Sequence, residues 1–160
     1  MVREAAARLY DVDADSLKFQ KLAIANRYDT GTVSFRAKRD KLIDLDKLHE
    51  SIWATRLSGG TRSGLIGIEV TAVGDVVVEG SETVLKVAGA DSHFILAAHP
   101  DNEHRVAFDQ MRSAVERGEQ VVSVSGQVDG WSGRWPDVLR QLPPKPRRIL
   151  VTGFETASSQ

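Results

Sequence analysis

The stretch ERGEQVVSVSGQVDGW, residues 116–131, decides how the second half of the chain is interpreted. Gly118 stands directly after a stripe of apolar residues at helical spacing, and a glycine in that position commonly ends a helix. Beyond it, apolar and polar residues alternate with the period of two that is typical of a β-strand with one buried face. The sequence therefore predicts a helix over residues 102–117 and then a strand whose inward face carries Val122, Val124, Gly126 and Val128.

Further short strands surround this helix and strand. Residues 76–78 and 83–87 flank a short turn, residues 93–97 supply another strand, and residues 149–154 form the last one. The stretches VVVEGSETVLKV, SHFILA and RRILVTGFE, together with the one quoted first, resemble the strands of a small OB-type barrel. The resemblance implies a closed β-barrel over residues 75–157 with a helix between two of its strands.

The first half of the chain has a different order of elements. Helical spacing predicts a helix over residues 2–10 and a turn over residues 11–15. Alternation then predicts a hairpin of two strands, residues 17–24 and 33–37, joined by the turn sequence NRYDTG. A second helix follows Asp44, a suitable N-cap, and ends before two glycines at 59 and 60, after which residues 66–72 alternate like a strand.

Three stretches of this half, VSFRAK, DLDKLHESI and IGIEVTAVG, are similar to the later part of a heavy-metal-associated domain. Such domains have the ferredoxin-like order βαββαβ, and their metal loop, usually Cys-x-x-Cys, joins the first strand to the first helix. The chain contains no cysteine, and that first strand and loop have no counterpart in it. The resemblance therefore implies the scaffold of a metal carrier without its thiolate site, and we predict no metal and no cofactor.

Together these patterns predict an α+β fold. A ferredoxin-like α/β sandwich that lacks its first strand spans residues 1–74, packs with an OB-like barrel over residues 75–157, and a mobile tail covers residues 158–160. Without its first strand, the sandwich leaves an open sheet edge. Two alternatives stay open: a single domain in which strands of the second half complete that sheet, or an upstream region that carries the missing strand and metal loop.

Composition limits the classes of function. Lys and Arg number 21 against 22 Asp and Glu, a net charge of −1, so we expect no strong overall attraction to nucleic acid or to an anionic membrane. No apolar run is long enough to span a bilayer, and the first residues lack the apolar core of a signal peptide. A chain without cysteine fits a cytoplasmic or an exported protein equally, so the localisation stays unknown.

The loop GWSGRWP contains the most distinctive candidates for binding, Trp131, Arg134 and Trp135. Aromatic faces beside an arginine are typical of surfaces that stack bases or sugars and of protein interaction hot spots. The alternative is that both tryptophans fold back and close one end of the barrel. This loop is therefore a candidate binding surface for protein, nucleic acid or oligosaccharide.

Four further arginines are candidate binding residues. Arg56 and Arg62 lie in RLSGGTRSG, whose backbone N–H groups and side chains suit an anion or a partner, although the glycines also simply end a helix. Arg147 and Arg148 belong to the short basic run KPRR, which suits nucleic acid or forms an ordinary solvated strand end.

Neither the histidines nor any catalytic motif in the sequence indicates a metal site or an active site. His93, His99 and His104 are close in sequence but match no zinc-ligand spacing, and His49 lies far from them. The chain has no nucleophile elbow, no HExxH and no dinucleotide-binding glycines, so we predict that it is not an enzyme.

The function that these patterns favour is a non-catalytic interaction module. It would bind a protein, or a second copy of itself, through the open sheet edge and the tryptophan loop. The alternative is an OB-type domain that binds nucleic acid or oligosaccharide through Trp131, Arg134, Trp135, Arg147 and Arg148.

Overall fold

The strands of the two halves of the chain form separate sheets. The computed structural model describes residues 12–21, 31–38, 44–54, 67–87, 93–130 and 146–157. The chain divides into two compact units, Met1–Leu65 and Ile66–Gln160. The predicted helix over residues 2–10, the hairpin turn and the tail lie outside the described residues.

The first unit contains a hairpin of β1 (Val12–Lys21) and β2 (Gly31–Ala37). The strands are antiparallel, which confirms the predicted hairpin, and their register shifts between Asp13 and Lys18. The predicted turn at residues 11–15 is wrong as an element, because β1 already begins at Val12. The residues that predicted the turn do make turn-like hydrogen bonds inside the shifted segment, because Asp13 accepts from the Asp15 N–H and the Ser16 hydroxyl.

Helix α1 (Leu45–Ala54) begins where its cap residue predicts. Asp44 Oδ1 accepts hydrogen bonds from the N–H groups of Asp46 and Lys47, and the Asp44 carbonyl accepts the first intrahelical bond from Leu48. Leu48 and Ile52, four residues apart, form an apolar stripe on the buried side of the helix and are 4% and 1% exposed. The cap and the stripe together fix the position of this helix.

The second unit is a closed five-stranded barrel with one helix. Its strands follow the spatial order β3-β4-β5-β7-β6, and only the β5–β7 pair is parallel. The bounds of its elements are β3 Glu69–Glu79, β4 Glu82–Val87, β5 His93–Ala98, α2 Asn102–Glu116, β6 Val121–Val128 and β7 Arg148–Thr156.

Strand β3 runs through the domain boundary that the sequence predicts at residues 74 and 75. The chain divides instead between Leu65 and Ile66, and the stretch IGIEVTAVG contributes to the barrel rather than to the first unit. The first half of β3, residues 69–73, pairs with β6, and the second half, residues 74–79, pairs with β4. The boundary is misplaced because Gly74 marks a change of pairing partner within one strand.

Gly74 is needed where β3 changes partner. A Cβ atom at this position would lie 2.0 Å from the Lys86 carbonyl oxygen, so any side chain would push β4 away. Gly126 on β6 is similar, because a Cβ there would lie 2.3 Å from the Leu150 carbonyl oxygen. Both glycines permit close backbone approach at the bends of a small barrel.

Strand β6 contains an irregularity that changes its inward set. Val124, Gly126 and Val128 are buried as predicted, whereas Val122 is only half-buried and Val121 takes the inward position at the start of the strand. The register with β7 shifts between Val121 and Ser123, which is the reason for this change. An extra residue in one strand reverses the alternation on either side of it.

Helix α2 follows β5 and packs against β7 and β5. Asp101 caps its first turn by accepting the Glu103 N–H, and Met111 and Ala114 are buried on its inner side. After Arg117, Gly118 has a φ of +81°, and its N–H bonds the Val115 carbonyl. The predicted glycine stop is therefore confirmed.

The structure confirms a mixed α+β fold. The described strands form one two-stranded sheet and one barrel, so the alternative of a single sheet completed by the second half does not describe them. The barrel core is aliphatic, with one phenylalanine and one methionine, and includes Val76, Leu85, Phe94, Leu96, Met111, Val121, Val124, Val128, Ile149 and Val151.

Candidate interaction face on the barrel

Three neighbouring barrel strands present their outward side chains on one surface, which we call the β3–β5 face. The registers place Val76 opposite Leu85 and Leu85 opposite Phe94, and all three are buried. Because successive residues of a strand point to opposite sides, the residues between these inward ones point outward. The β3–β5 face therefore consists of Asp75, Val77, Glu79, Glu82, Val84, Lys86, His93, Ile95 and Ala97.

An apolar row crosses the middle of this face. Val77 pairs with Val84, and Val84 pairs with Ile95 on the next strand. The parallel pairing of β5 with β7 places Arg148 beside Ile95 at the end of the row. Val77 and Ile95 are half-buried, and Val84 is only 4% exposed although it points away from the barrel interior.

An ion pair between Lys86 and Glu79 crosses this apolar row, with Lys86 Nζ 2.6 Å from Glu79 Oε1. Lys86 lies opposite Asp75, Glu79 lies opposite Glu82, and the pair Val77–Val84 lies between them. The stretch of β3 from Asp75 to Glu79 spans about 13 Å of backbone. The two side chains therefore extend toward each other along the strands.

Carboxylates outnumber fixed cations on the β3–β5 face. Asp75, Glu79 and Glu82 are all exposed, and Lys86 is the one lysine or arginine among the nine residues. The hydrogen bond from Lys86 and its positive charge lower the pKa of Glu79, and the charge of His93 acts in the same direction. At neutral pH the face is therefore negatively charged around an aliphatic centre.

A second outward surface lies on the first half of β3 and on β6, and we call it the β3–β6 face. Its pairs join Thr71 to Ser125 and Val73 to Ser123. The Thr71 and Ser125 hydroxyl oxygens are 2.8 Å apart, and Val73 is 61% exposed. Ser123 is 6% exposed, Glu69 pairs with Gln127 farther along the face, and the described pairs form no apolar row.

Most of the predicted binding residues lie outside the described residues. These are Trp131, Arg134 and Trp135 of the tryptophan loop, and Arg56 and Arg62 of the glycine-rich loop. The structure does place the two arginines before and at the start of β7. Arg147 is 8% exposed and its carbonyl accepts the Ile95 N–H, whereas Arg148 is exposed with its Nε 3.6 Å from Asp129 Oδ2.

The four histidines are dispersed, apart from one pair. His93 lies on the β3–β5 face and His49 is buried in α1, while the rings of His99 and His104 meet edge to face with centroids 5.3 Å apart. Ligand atoms of Asp101, Glu103 and His104 lie within 4.8 Å of one another. Helix capping accounts for this group, because Asp101 Oδ1 accepts the Glu103 N–H and His99 Nδ1 accepts the Asp101 N–H.

An open groove between α2 and β7 is the remaining candidate on the barrel. Its lining combines polar groups of the helix with one aromatic side chain of the strand, from Asp109, Gln110, Ser113, Arg117 and Phe154. The Arg117 guanidinium is held by Glu119, with Nε 2.8 Å from Oε1. The groove brings together no base and nucleophile in hydrogen-bond contact, so its chemistry is that of a solvated surface.

Sequence reasoning missed Glu79, Lys86 and the apolar row. A local signal for them exists in VVVEGSETVLKV, because a tight turn at Gly80 and Ser81 fixes the register and puts residues 77, 79, 84 and 86 on one side. The neighbour Arg148 has no such signal, since it reaches the row only through the parallel β5–β7 pair.

Comparison with known proteins finds no match: no family model, no curated protein and no solved structure is significantly similar to the chain. Among the described residues, no helix combines the length and the apolar character that crossing a membrane requires. The function therefore has to be argued from the geometry and chemistry of the barrel surface.

Proposed function

We propose that the second unit is an OB-type barrel that works as a non-catalytic protein-binding module. Three features support the fold proposal: the strand order β3-β4-β5-β7-β6, the parallel β5–β7 pair, and the helix between β5 and β6. In OB folds the ligand-binding surface is centred on the second and third strands of the barrel. Those strands are β4 and β5 here, so the β3–β5 face is the candidate binding surface.

The observation that carries the protein-binding proposal is the composition of this face. It combines the aliphatic row of Val77, Val84 and Ile95 with a rim of three carboxylates. A phosphodiester backbone is repelled by such a rim, whereas a protein segment can satisfy both its apolar centre and its charges.

A peptide-display selection on the full chain tests this proposal. Random linear peptides are selected, and the best are titrated against labelled backbone amides by NMR. We expect shifts concentrated on β4, β5 and the second half of β3. Val77→Gln on the β3–β5 face should then weaken binding about tenfold, because it places a polar amide in the apolar row.

The matched control is Val73→Gln, which makes the same change on the same strand but on the β3–β6 face. Binding should stay within about twofold of the unchanged chain. Equal losses in both variants, or shifts confined to α2 and β7, would reject the β3–β5 face as the binding surface. Circular dichroism of both variants verifies that the barrel is intact.

Nucleic-acid or oligosaccharide binding is the second candidate, because the loop with Trp131, Arg134 and Trp135 joins β6 to β7, and the corresponding loop contributes to ligand binding in OB folds. Against it, Arg147 is buried and Arg148 lies beside Asp129. Tryptophan fluorescence titrated with single-stranded DNA, RNA and glycans at low salt distinguishes the candidates. A saturable change with any of them favours this one.

For the first unit we retain the proposal of a heavy-metal-associated-like scaffold that associates through a sheet edge. Its support is the β1–β2 hairpin, which within the described residues has no third strand. An open edge pairs with another strand readily. Sedimentation velocity over a range of protein concentrations tests it: self-association supports this route, and a monomer at every concentration opposes it.

A further inference from the structure

We propose that Lys86 occupies the position of a partner's cation on Glu79, and that the partner is a basic, aliphatic protein segment in extended conformation. This inference rests on the proposed function and goes further, because it names the chemistry of the partner and a residue of this chain that competes with it. Removal of Lys86 should therefore strengthen binding, which is the reverse of what a residue in the interface normally does.

The first step is the geometry of the ion pair. Lys86 is opposite Asp75, not opposite Glu79, so its ammonium group reaches Glu79 only by lying along the strand across Val77 and Val84. Both partners keep more than half of their side-chain surface exposed, at 57% and 55%. An exposed ion pair of this kind contributes little to stability, so displacing it costs little.

The second step is the way in which a partner can approach. The barrel is closed, although residues 69–73 of β3 pair only with β6 and residues 74–79 only with β4. A partner that contacts the outward side chains of β3 docks on the face. Outward residues along β3 repeat every two positions, as do the side chains on one side of any extended segment.

The third step is complementarity of charge and spacing. Along β3 the outward order is Asp75, Val77, Glu79: acidic, aliphatic, acidic. The matching extended segment carries a basic residue, an aliphatic residue and a basic residue at positions i, i+2 and i+4. The aliphatic side chain of this segment packs on Val77 and Val84, and one of its cationic side chains forms an ion pair with Glu79 in place of Lys86.

The probe is a labelled peptide with a single Lys-Thr-Val-Thr-Lys unit, in which no two lysines are adjacent, titrated by fluorescence anisotropy against the full chain. Lys86→Met should raise its affinity about 2- to 5-fold, the range that corresponds to the free energy of an exposed ion pair. Glu79→Gln should weaken binding relative to the unchanged chain. A peptide of the same composition with adjacent lysines tests the spacing and should bind more weakly.

Arg117→Gln is the matched control for net charge. It removes one positive charge from an exposed ion pair at the end of α2, and Arg117 is not one of the residues of the β3–β5 face. If Lys86→Met and Arg117→Gln raise affinity equally, the effect is one of overall charge and the competition is overturned. Weaker binding in Lys86→Met also overturns it.

The outcome separates this inference from the proposed function. Selected peptides that are neutral or acidic, yet shift the amides of β4 and β5, retain the protein-binding face and reject the cationic partner. Selected peptides that bind elsewhere reject both. Thermal unfolding of Lys86→Met verifies that the variant is folded.

Discussion

The two outward faces that share β3 have different chemistry. The β3–β6 face carries Thr71 and Val73 beside the serines of β6, while the β3–β5 face carries an aliphatic row between carboxylates and a lysine. On the β3–β6 face the hydroxyl oxygens of Thr71 and Ser125 are 2.8 Å apart. On the β3–β5 face Lys86 Nζ lies 2.6 Å from Glu79 Oε1. One strand thus supplies a surface of mainly hydroxyl groups before Gly74 and a surface of aliphatic and charged groups after it.

The difference teaches where specificity can reside on this barrel. A surface that carries mainly hydroxyl groups offers a partner little apolar area. A surface whose aliphatic row includes the half-buried Val77 and Ile95 offers both apolar area and charges that select a complementary partner. The four predictions that follow test this contrast, beginning with the residue that separates the faces.

Gly74→Ala should have the largest effect, a loss of about 3 kcal/mol in the free energy of unfolding. Its Cβ would meet the Lys86 carbonyl oxygen at 2.0 Å, and a backbone atom cannot move aside without opening the β3–β4 pair. Urea denaturation measures the loss. Gly153→Ala is the control, because its Cβ meets nothing within 4 Å and should stabilise by up to about 1 kcal/mol. Similar values for the two would contradict the role of Gly74.

A valine-to-threonine substitution should have the next largest effect on stability, and the loss should differ between the two faces. Val84→Thr should destabilise by about 1–2 kcal/mol, because it brings a hydroxyl to an outward position that is 4% exposed. Val73→Thr should stay within about 0.5 kcal/mol, because that position is 61% exposed. Thermal and urea unfolding give both numbers. If Val84→Thr is neutral, the apolar row is not covered and the contrast between the faces fails.

The hydroxyl pair of the β3–β6 face should contribute less. A double-mutant cycle of Thr71→Val and Ser125→Ala should give a coupling energy of about 0.5 kcal/mol, since an exposed neutral hydrogen bond is partly replaced by water. The cycle needs the two single variants and the double variant under identical conditions. A coupling energy near that of a buried bond would show that this face is more rigid than its exposure suggests.

The smallest expected effect is a change in the pKa of Glu79. In the folded chain the pKa of Glu79 is lowered by Lys86, so the ion pair contributes to stability above the unfolded pKa and is lost as the pH falls through the folded pKa. In Lys86→Met the pKa of Glu79 should rise toward the ordinary value of a glutamate side chain. Carboxyl-detected NMR titration measures it, with Glu82 as an internal reference on the same face. An unchanged value would mean that Lys86 does not hold Glu79 in solution.

Local patterns predicted most of the individual elements. Asp44 and Gly118 mark a helix start and a helix end because capping depends on a few neighbouring backbone groups. Alternation predicted the hairpin of the first unit and the strands of the second. The sequence pattern did not predict the irregularity in β6, because one extra residue reverses the set of inward residues without changing the composition of the strand.

Pairing partners were less predictable than elements. The alternating stretches on either side of Gly74 were assigned to different domains, although they form one strand that changes partner. The candidate face depends on three registers at once, including the parallel β5–β7 pair, whose strands are separated in sequence by α2 and β6. Such non-local pairing leaves no periodic mark, so Glu79 and Lys86 were not singled out.

The position of β7 in the barrel has a consequence for biosynthesis. This strand follows the other four in chain order, yet it is the one that joins β5 to β6. Until β7 emerges from the ribosome, β5 and β6 each keep an unpaired edge, and the hydrophobic interior is exposed to water. Closure of the barrel therefore waits for the last of its five strands to be synthesised.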